Sequence, residues 1–354
     1  RARRRQRGAG EPREALACAA TLAVAGYAGH ARLVWGRRPW SGAADLQDKQ
    51  FLAMPQVGSL AHTPDCTMGP LPPLWMAASG PPMRLNVLSY NLFWWKLFDN
   101  GLNPATHLRT PGNSATALLA QHAKAEQYDV MGFQECQDGD WLLAKAGLAG
   151  EYAIFQDKEL GGATSVCMAY NKNSWALLDR GVQYVAEDPQ WGLRPAQWMR
   201  LRSLRTGALV FFVNHHGPIP INSGGKCGPA AVGYNIVQVI AAHAVQGDAI
   251  VLTGDFNANP SSPTIRILAQ RFLKAFGGQV DGGIDYIWSN LPASAVVSTE
   301  NLGNGGSDHE AISAVLQRGT QAAEPTSVFS PPGVTHIMDA LMQSRLGQMA
   351  WLKK

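Results

Sequence analysis

Six short stretches of this chain carry acids, carboxamides or imidazoles where a soluble strand does not require them. They are Leu88-Ser-Tyr-Asn91, Gly132-Phe-Gln-Glu135, Phe212-Val-Asn-His-His216, Gly254-Asp-Phe-Asn257, Ile284-Asp-Tyr286 and Ser307-Asp-His309. Each alone is ordinary. Asn91 is a common turn former, Asp255-Phe-Asn257 fits a loop with an Asx turn, and Asp308 beside His309 can be no more than an orienting partner. Converging on one edge, these groups instead suit a hard cation and a phosphate. Mg²⁺ prefers oxygen ligands and keeps several waters, so one or two carboxylates suffice to hold it. Ligands in layered α/β folds gather where the ends of strands meet.

The elements that must position these groups are legible from period and punctuation. Arg84–Asn91 alternates with period two and predicts a strand. Ser114–Gln127 has helical spacing, with Ser114 as its N-cap. Short apolar runs predict strands at Tyr128–Glu135, Tyr152–Gln156, Ser165–Tyr170 and Trp175–Val185. Trp198–Leu204 and Ala208–His215 flank a turn at Arg205–Gly207 and predict a hairpin. A helix over Ala230–Val245 precedes a strand at Ala249–Thr253. A second helix is expected from Pro263 to Arg271, then strands at Ile284–Trp288, Ala295–Thr299 and Glu310–Leu316. Many strands with few helices, in β-β and β-α succession, predict two packed sheets with helices outside.

As an ordered set spread over residues 83–317, the six motifs resemble the endonuclease/exonuclease/phosphatase superfamily, the deoxyribonuclease-I-like proteins. The resemblance does not single out a branch. It implies a four-layered α/β sandwich, with two mixed sheets flanked by helices, and a Mg²⁺- or Mn²⁺-dependent phosphoester hydrolase. It implies Glu135 as principal metal ligand, Asn91 beside it, and Asp308 close enough to join. It gives Asp255 the attacking water, Asn257 the phosphate or that water, and His309 a non-bridging phosphate oxygen, with Asp285 holding the other ring nitrogen. His216 takes the place of a second phosphate-side histidine. His215 is expected on the opposite face, since neighbours on a strand alternate. Asn214 in the same motif, and Lys226 in the Gly-rich loop 217–228, complete the expected set as substrate-binding residues; a plain surface loop is the other reading of 217–228.

Two departures stand out. The abasic-site endonucleases of the superfamily follow the first Asn with a polar residue at the second position and then Gly-Leu-Arg, whereas this chain reads Leu92-Phe-Trp-Trp95. In the deoxyribonucleases a carboxylate supports the second histidine, and the comparable stretch here, Gly161-Gly-Ala-Thr-Ser165, has no acid. The aromatic run Phe93, Trp94, Trp95 and Phe98 has three readings: a base-stacking platform, a lipid-contacting surface, or a packed corner. Arg194, Arg200 and Arg202 either serve a phosphate-rich substrate or form the charged outer face of a hairpin.

Composition bounds the rest. With 354 residues, 46% of them hydrophobic, the chain has ample material for a core, so wholesale disorder is excluded. Charged residues at 16%, with 37 Gly and 22 Pro, exclude a coiled coil. A net charge of +4 is too small to announce nucleic acid, and no dense basic stripe appears. Residues 1–40 read as a targeting leader, secretory or organellar, or as a basic tail: five of the first seven residues are Arg, and an Ala-rich apolar run follows. Residues 41–82 read as a Pro-rich linker and 83–317 as the catalytic domain. Residues 318–354 form a tail whose apolar spacing fits one amphipathic helix, docked on the domain or on another surface. Cys136 and Cys167 are expected as buried packing residues, and a Cys66–Cys227 bridge would require an oxidising compartment. No obligate protein partner is inferred and a monomer is expected. The expected partner is the substrate, a nucleic acid first, with a phospholipid or inositol phosphate as the alternative. A catalytically silent binding module of the same fold is the third reading.

Overall fold

The structure, a computed structural model, describes residues 64–97, 115–157 and 165–319. The readings placed on 1–63 and 320–354, on Phe98, on the Ser114 cap and on 161–164 lie outside these residues. The first six-stranded sheet runs β11-β12-β1-β2-β4-β3. Its members are β1 (Met83–Asn91), β2 (Val130–Gln134), β3 (Tyr152–Gln156), β4 (Val166–Asn171), β11 (Val296–Asn301) and β12 (Ile312–Arg318). The second runs β5-β6-β7-β8-β10-β9. It comprises β5 (Trp175–Asp188), β6 (Gly192–Ser203), β7 (Leu209–His216), β8 (Ala249–Asp255), β9 (Leu273–Gly277) and β10 (Asp285–Ser289).

Each sheet contains one parallel pair, β1 with β2 and β7 with β8. Parallel neighbours need a crossover, usually a helix. Helix α2 (Ala115–Glu126) provides one and α4 (Pro229–His243) the other; α1 (Trp94–Leu97), α3 (Gly139–Ala146) and α5 (Pro263–Leu268) complete the α-helices described. Pro229 opens α4 in its first turn, where a missing amide hydrogen costs nothing. The α3 helix and β9 were not legible beforehand. A Gly start and an eight-residue length hide α3, and half-buried residues with no alternation hide β9.

Three apolar layers separate four layers of structure. Leu85, Val87 and Met168 of the first sheet meet Val210, Phe212, Val251 and Ile287 of the second between the sheets. Leu119, Ala123 and Leu142 cover the first sheet from outside. Ile236, Val237 and Ile240 of α4 cover the second. The four-layered sandwich is therefore present.

Residues 64–82 contain neither helix nor strand, yet they are not a free spacer. A disulfide joins Cys66 to Cys227. Asn235 Nδ2 donates to Asp65 O at 2.9 Å, Trp75 Nε1 to Asp248 O at 2.9 Å, and the Ala77 amide to Asn290 O at 3.0 Å. This stretch is a strap fastened along the domain. Cys136 and Cys167 correct an expectation: they are buried, but they form a second disulfide. Phe133 pairs with Cys167 across the β2–β4 ladder, so the chain just beyond β2 lies beside β4. Among the described residues, no helix is long and apolar enough to cross a membrane.

Candidate active site

The two parallel pairs point their C-terminal ends to the same edge. There β1 ends at Asn91, β7 at His216 and β8 at Asp255, while Glu135 follows directly on β2. Strand β10 runs antiparallel to β8 and starts at that edge with Asp285, directly opposite Asp255. Asp308 and His309 precede β12, which is antiparallel to β1. Topology alone thus gathers residues separated by more than two hundred positions.

The centre is one carboxylate oxygen. Asp255 Oδ2 accepts from Asn91 Nδ2 at 3.0 Å and lies 3.4 Å from His216 Nε2 and 3.7 Å from His309 Nε2. Its other oxygen accepts the Asn257 amide at 2.8 Å, which fixes the rotamer. Burial alone would raise the Asp255 pKa, but the charge of His309, the hydrogen bond from His216 and those from the neighbouring amides hold it well below the usual carboxylate range. His309 Nδ1 meets Asp285 Oδ2 at 2.9 Å. Burial works against a charged His309 ring, yet Asp255 and then Asp285 outweigh it and raise its pKa to about 10. Burial, with Asp255 adding to it, lifts Asp285 to about 7.

Glu135 stands beside this cluster. Its Oε1 lies 3.5 Å from Asn91 Nδ2 and its Oε2 accepts the Trp94 amide at 3.2 Å. Burial raises its pKa first, and the charges of Asp308 and Asp255 raise it further, against the pull of His216. Three acids crowding one another is the donor chemistry a hard cation relieves, so the residues fit a divalent ion. Asp308 itself is exposed. Asp255, Asp285 and His309 form a second grouping, with ligand atoms within 4.8 Å of one another.

The backbone at the site is held in uncommon conformations. Glu135 (φ 53°) and Asn257 (φ 44°) are both left-handed, a region that costs a non-glycine residue energy. The Cys136–Cys167 disulfide and the Cys136 amide on Ser165 O pin the bend at Glu135. Beneath, Gly132 lets the sheets approach. A Cβ there would stand 2.3 Å from Thr253 Oγ1 and 2.8 Å from Asn214 Oδ1.

The structure therefore brings Asn91, Glu135, His216, Asp255, Asn257, Asp285 and His309 together, with Asp308 at their rim. The two expected substrate-binding residues are engaged by other groups. Asn214 is fully buried one step below His216, and its amide donates to Phe133 O and Cys167 O. Its oxygen accepts from Gln134 Nε2 and Thr253 Oγ1, so it ties the sheets together and has nothing left for substrate. Lys226, with a half-exposed side chain, is ion-paired to Glu187. His215 faces away from the site, its Nδ1 2.7 Å from Pro195 O. Phe93 and Trp94 are half-buried, and Trp94 packs on the apolar layer over the first sheet.

Arg194, open in the sequence between serving a phosphate-rich substrate and the charged outer face of a hairpin, is buried beside His216. Arg194 is 1% exposed; its NH2 donates to Asp188 Oδ2 at 3.1 Å and its NH1 lies 3.4 Å from His216 Nδ1. The available signal was local. Asp188 and Arg194 flank the turn Pro189-Gln-Trp-Gly192, and opposite charges across a tight turn belong to one hairpin. Arg200 is instead bound to the buried Asp248.

The family model described as the Endonuclease/Exonuclease/phosphatase family matches residues 86–309, spanning all of these groups. The chain belongs to this family. Members of the endonuclease/exonuclease/phosphatase family are generally phosphoester hydrolases and typically depend on a divalent metal. Similar solved structures agree on the fold. A family protein from Bacteroides thetaiotaomicron has a TM-score of 0.52 at 16% identity, covering 68% of this chain and 99% of its own. One from Bacteroides vulgatus has a TM-score of 0.51 at 20% identity, covering 67% and 100%. The mannosyl-6-phosphatase Bt3783 of Bacteroides thetaiotaomicron VPI-5482 has a TM-score of 0.51 at 16% identity, covering 66% and 100%. No curated protein matches the chain in sequence.

Proposed function

We propose that the chain is a Mg²⁺-dependent phosphodiesterase of nuclease type, in which Asp255 activates the attacking water. The observation that carries this reading is the Asp255 Oδ2 corner, ringed by an amide and two imidazoles and flanked by Glu135. A divalent cation held by Glu135, Asn91 and Asp308 would neutralise phosphate charge and polarise the phosphorus–oxygen bonds. The other grouping is less suited to an ion. His309 Nδ1 is engaged by Asp285, and an imidazolium both repels a cation and has no lone pair to give it.

The chain's own groups divide the remaining work. Asp255, kept ionised, takes a proton from water at Oδ2, and the Asn257 amide holds its other oxygen in place. Asn257 Nδ2 rests on Gly217 O at 3.2 Å, and its second amide hydrogen serves the phosphate or the water. His309, charged at neutral pH, directs Nε2–H to a non-bridging oxygen, where a fixed donor stabilises developing negative charge. His216 supplies a second such donor.

A nucleic acid is the first choice of substrate, since Phe93, half-buried two positions after Asn91, offers a ring on which a base would stack. A substrate panel tests the choice: single-stranded and duplex DNA, RNA, sphingomyelin, inositol phosphates and a sugar 6-phosphate, each with Mg²⁺. Turnover of a nucleic acid at least tenfold above the others supports the reading. Preference for sphingomyelin, an inositol phosphate or a sugar phosphate overturns the nuclease assignment while keeping the hydrolase.

A further inference from the structure

We propose that Arg194 is a positioning residue for His216, fixing which ring nitrogen carries the proton that faces the phosphate. The inference rests on the hydrolase reading above. It starts from the hairpin of β5 and β6. Asp188 Oδ1 accepts the amides of Gln190 at 2.8 Å and Trp191 at 3.0 Å, which closes the turn. Asp188 Oδ2 accepts the Ile219 amide at 2.7 Å and Arg194 NH2 at 3.1 Å. One buried carboxylate therefore anchors the turn, the loop after His216, and the guanidinium between them.

The guanidinium is buried and tied to this carboxylate. Its NH1 faces His216 Nδ1 at 3.4 Å. Guanidinium nitrogens only donate, so Nδ1 must offer its lone pair and the ring proton sits on Nε2. Nε2 is the atom 3.4 Å from Asp255 Oδ2, at the corner where the phosphate and the attacking water meet. A carboxylate in Arg194's place would do the reverse: it would accept a proton from Nδ1, leaving the lone pair of a neutral ring on Nε2. The arginine thus makes His216 a standing hydrogen-bond donor to substrate. It also sets a buried positive charge behind the phosphate side of the site.

The test reads the tautomer directly. The full chain, labelled with ¹⁵N-histidine and loaded with Mg²⁺, is examined by long-range ¹H–¹⁵N correlation, with His216 identified by its loss in H216Q. Kinetics on bis(p-nitrophenyl) phosphate are compared for wild type, R194K and R194M. The expected result is Nε2–H in wild type, a shift toward Nδ1–H in R194M, and a kcat roughly tenfold or more lower in R194M, as for loss of one fixed donor. KM should stay within about threefold, and R194K, which keeps a charged donor, should recover most of the loss. Nδ1–H in wild type, or an R194M protein with unchanged tautomer and kcat, overturns the proposal. If R194M does not fold, the wild-type tautomer and R194K decide. If wild type turns over no phosphoester, the hydrolase reading fails, while the tautomer still decides the role of Arg194.

Discussion

Asp285 stands directly opposite Asp255 across the β10–β8 ladder, yet their surroundings shift the two carboxylates in opposite directions. Asp255 is kept ionised by the two imidazoles and its hydrogen bonds, whereas burial lifts Asp285 toward neutrality and joins it to His309. Neighbouring acids whose surroundings push their pKa values apart are the pattern of divided acid and base duties.

Asp255→Asn removes the base and keeps the shape. The expected loss in kcat is roughly 10²–10⁴-fold, the range of a positioned general base, with KM within a few-fold of wild type. A steady-state comparison checks this. A kcat within threefold of wild type would exclude Asp255 as the base.

Asp285 acts through His309, so the two should behave as a unit. Asp285→Asn is expected to lower kcat about 10- to 100-fold. Combined with His309→Gln, it should add little to the loss caused by His309→Gln alone. Additive losses in this cycle would mean that Asp285 has a separate role.

The sheets meet tightly below the site, which gives a prediction on stability. Gly132→Ala places a methyl against Thr253 Oγ1 and Asn214 Oδ1. The expected cost is about 1–3 kcal/mol, the range for overpacking a close-packed interior. Truncating Thr253 to Ala in the same chain should return part of it. Urea unfolding of the three variants measures both; no loss in Gly132→Ala would mean that the sheets separate freely.

His215 should make the fold sensitive to mild acid. Burial lowers its pKa to about 3, far below the ordinary 6.5. Below pH 6.5 the unfolded chain takes a proton that the folded chain refuses, so stability from this group is complete above pH 6.5. It is lost progressively as pH falls toward 3, at a limiting slope of about 1.4 kcal/mol per pH unit. Between pH 7 and pH 5 the wild type should lose roughly 1–2 kcal/mol more than His215→Asn. Identical pH dependence in the two proteins would show that His215 does not remain neutral in the fold.

The sandwich and most of the site were legible because polar residues interrupted strands whose period was clear. Asn91, Glu135, Asp255 and Asp285 each mark where a run of apolar positions reaches one edge. What stayed hidden depended on contacts between distant strands. Asn214 shares a motif with His216, and only the packing of Gln134 and Thr253 against it shows that its hydrogen bonds are spent. Arg194 stayed open between a substrate contact and a surface charge because Pro195 and Gly192 obscured the start of β6, which was expected only at Trp198. Cys136 and Cys167 lie 31 positions apart without a motif, and only the β2–β4 pairing makes them partners. Prolines made residues 64–82 read as a spacer, but a segment without ladder bonds can still be strapped down by side chains reaching its carbonyls.

The most direct measurement is turnover of bis(p-nitrophenyl) phosphate by the full chain with Mg²⁺, after EDTA, and after Mg²⁺ is restored, alongside Glu135→Ala. Hydrolysis that stops with EDTA, returns with Mg²⁺, and is lost in Glu135→Ala is the predicted result. Equal rates with and without the ion, or a Glu135→Ala protein as active as wild type, would contradict a single divalent-ion site at these strand ends.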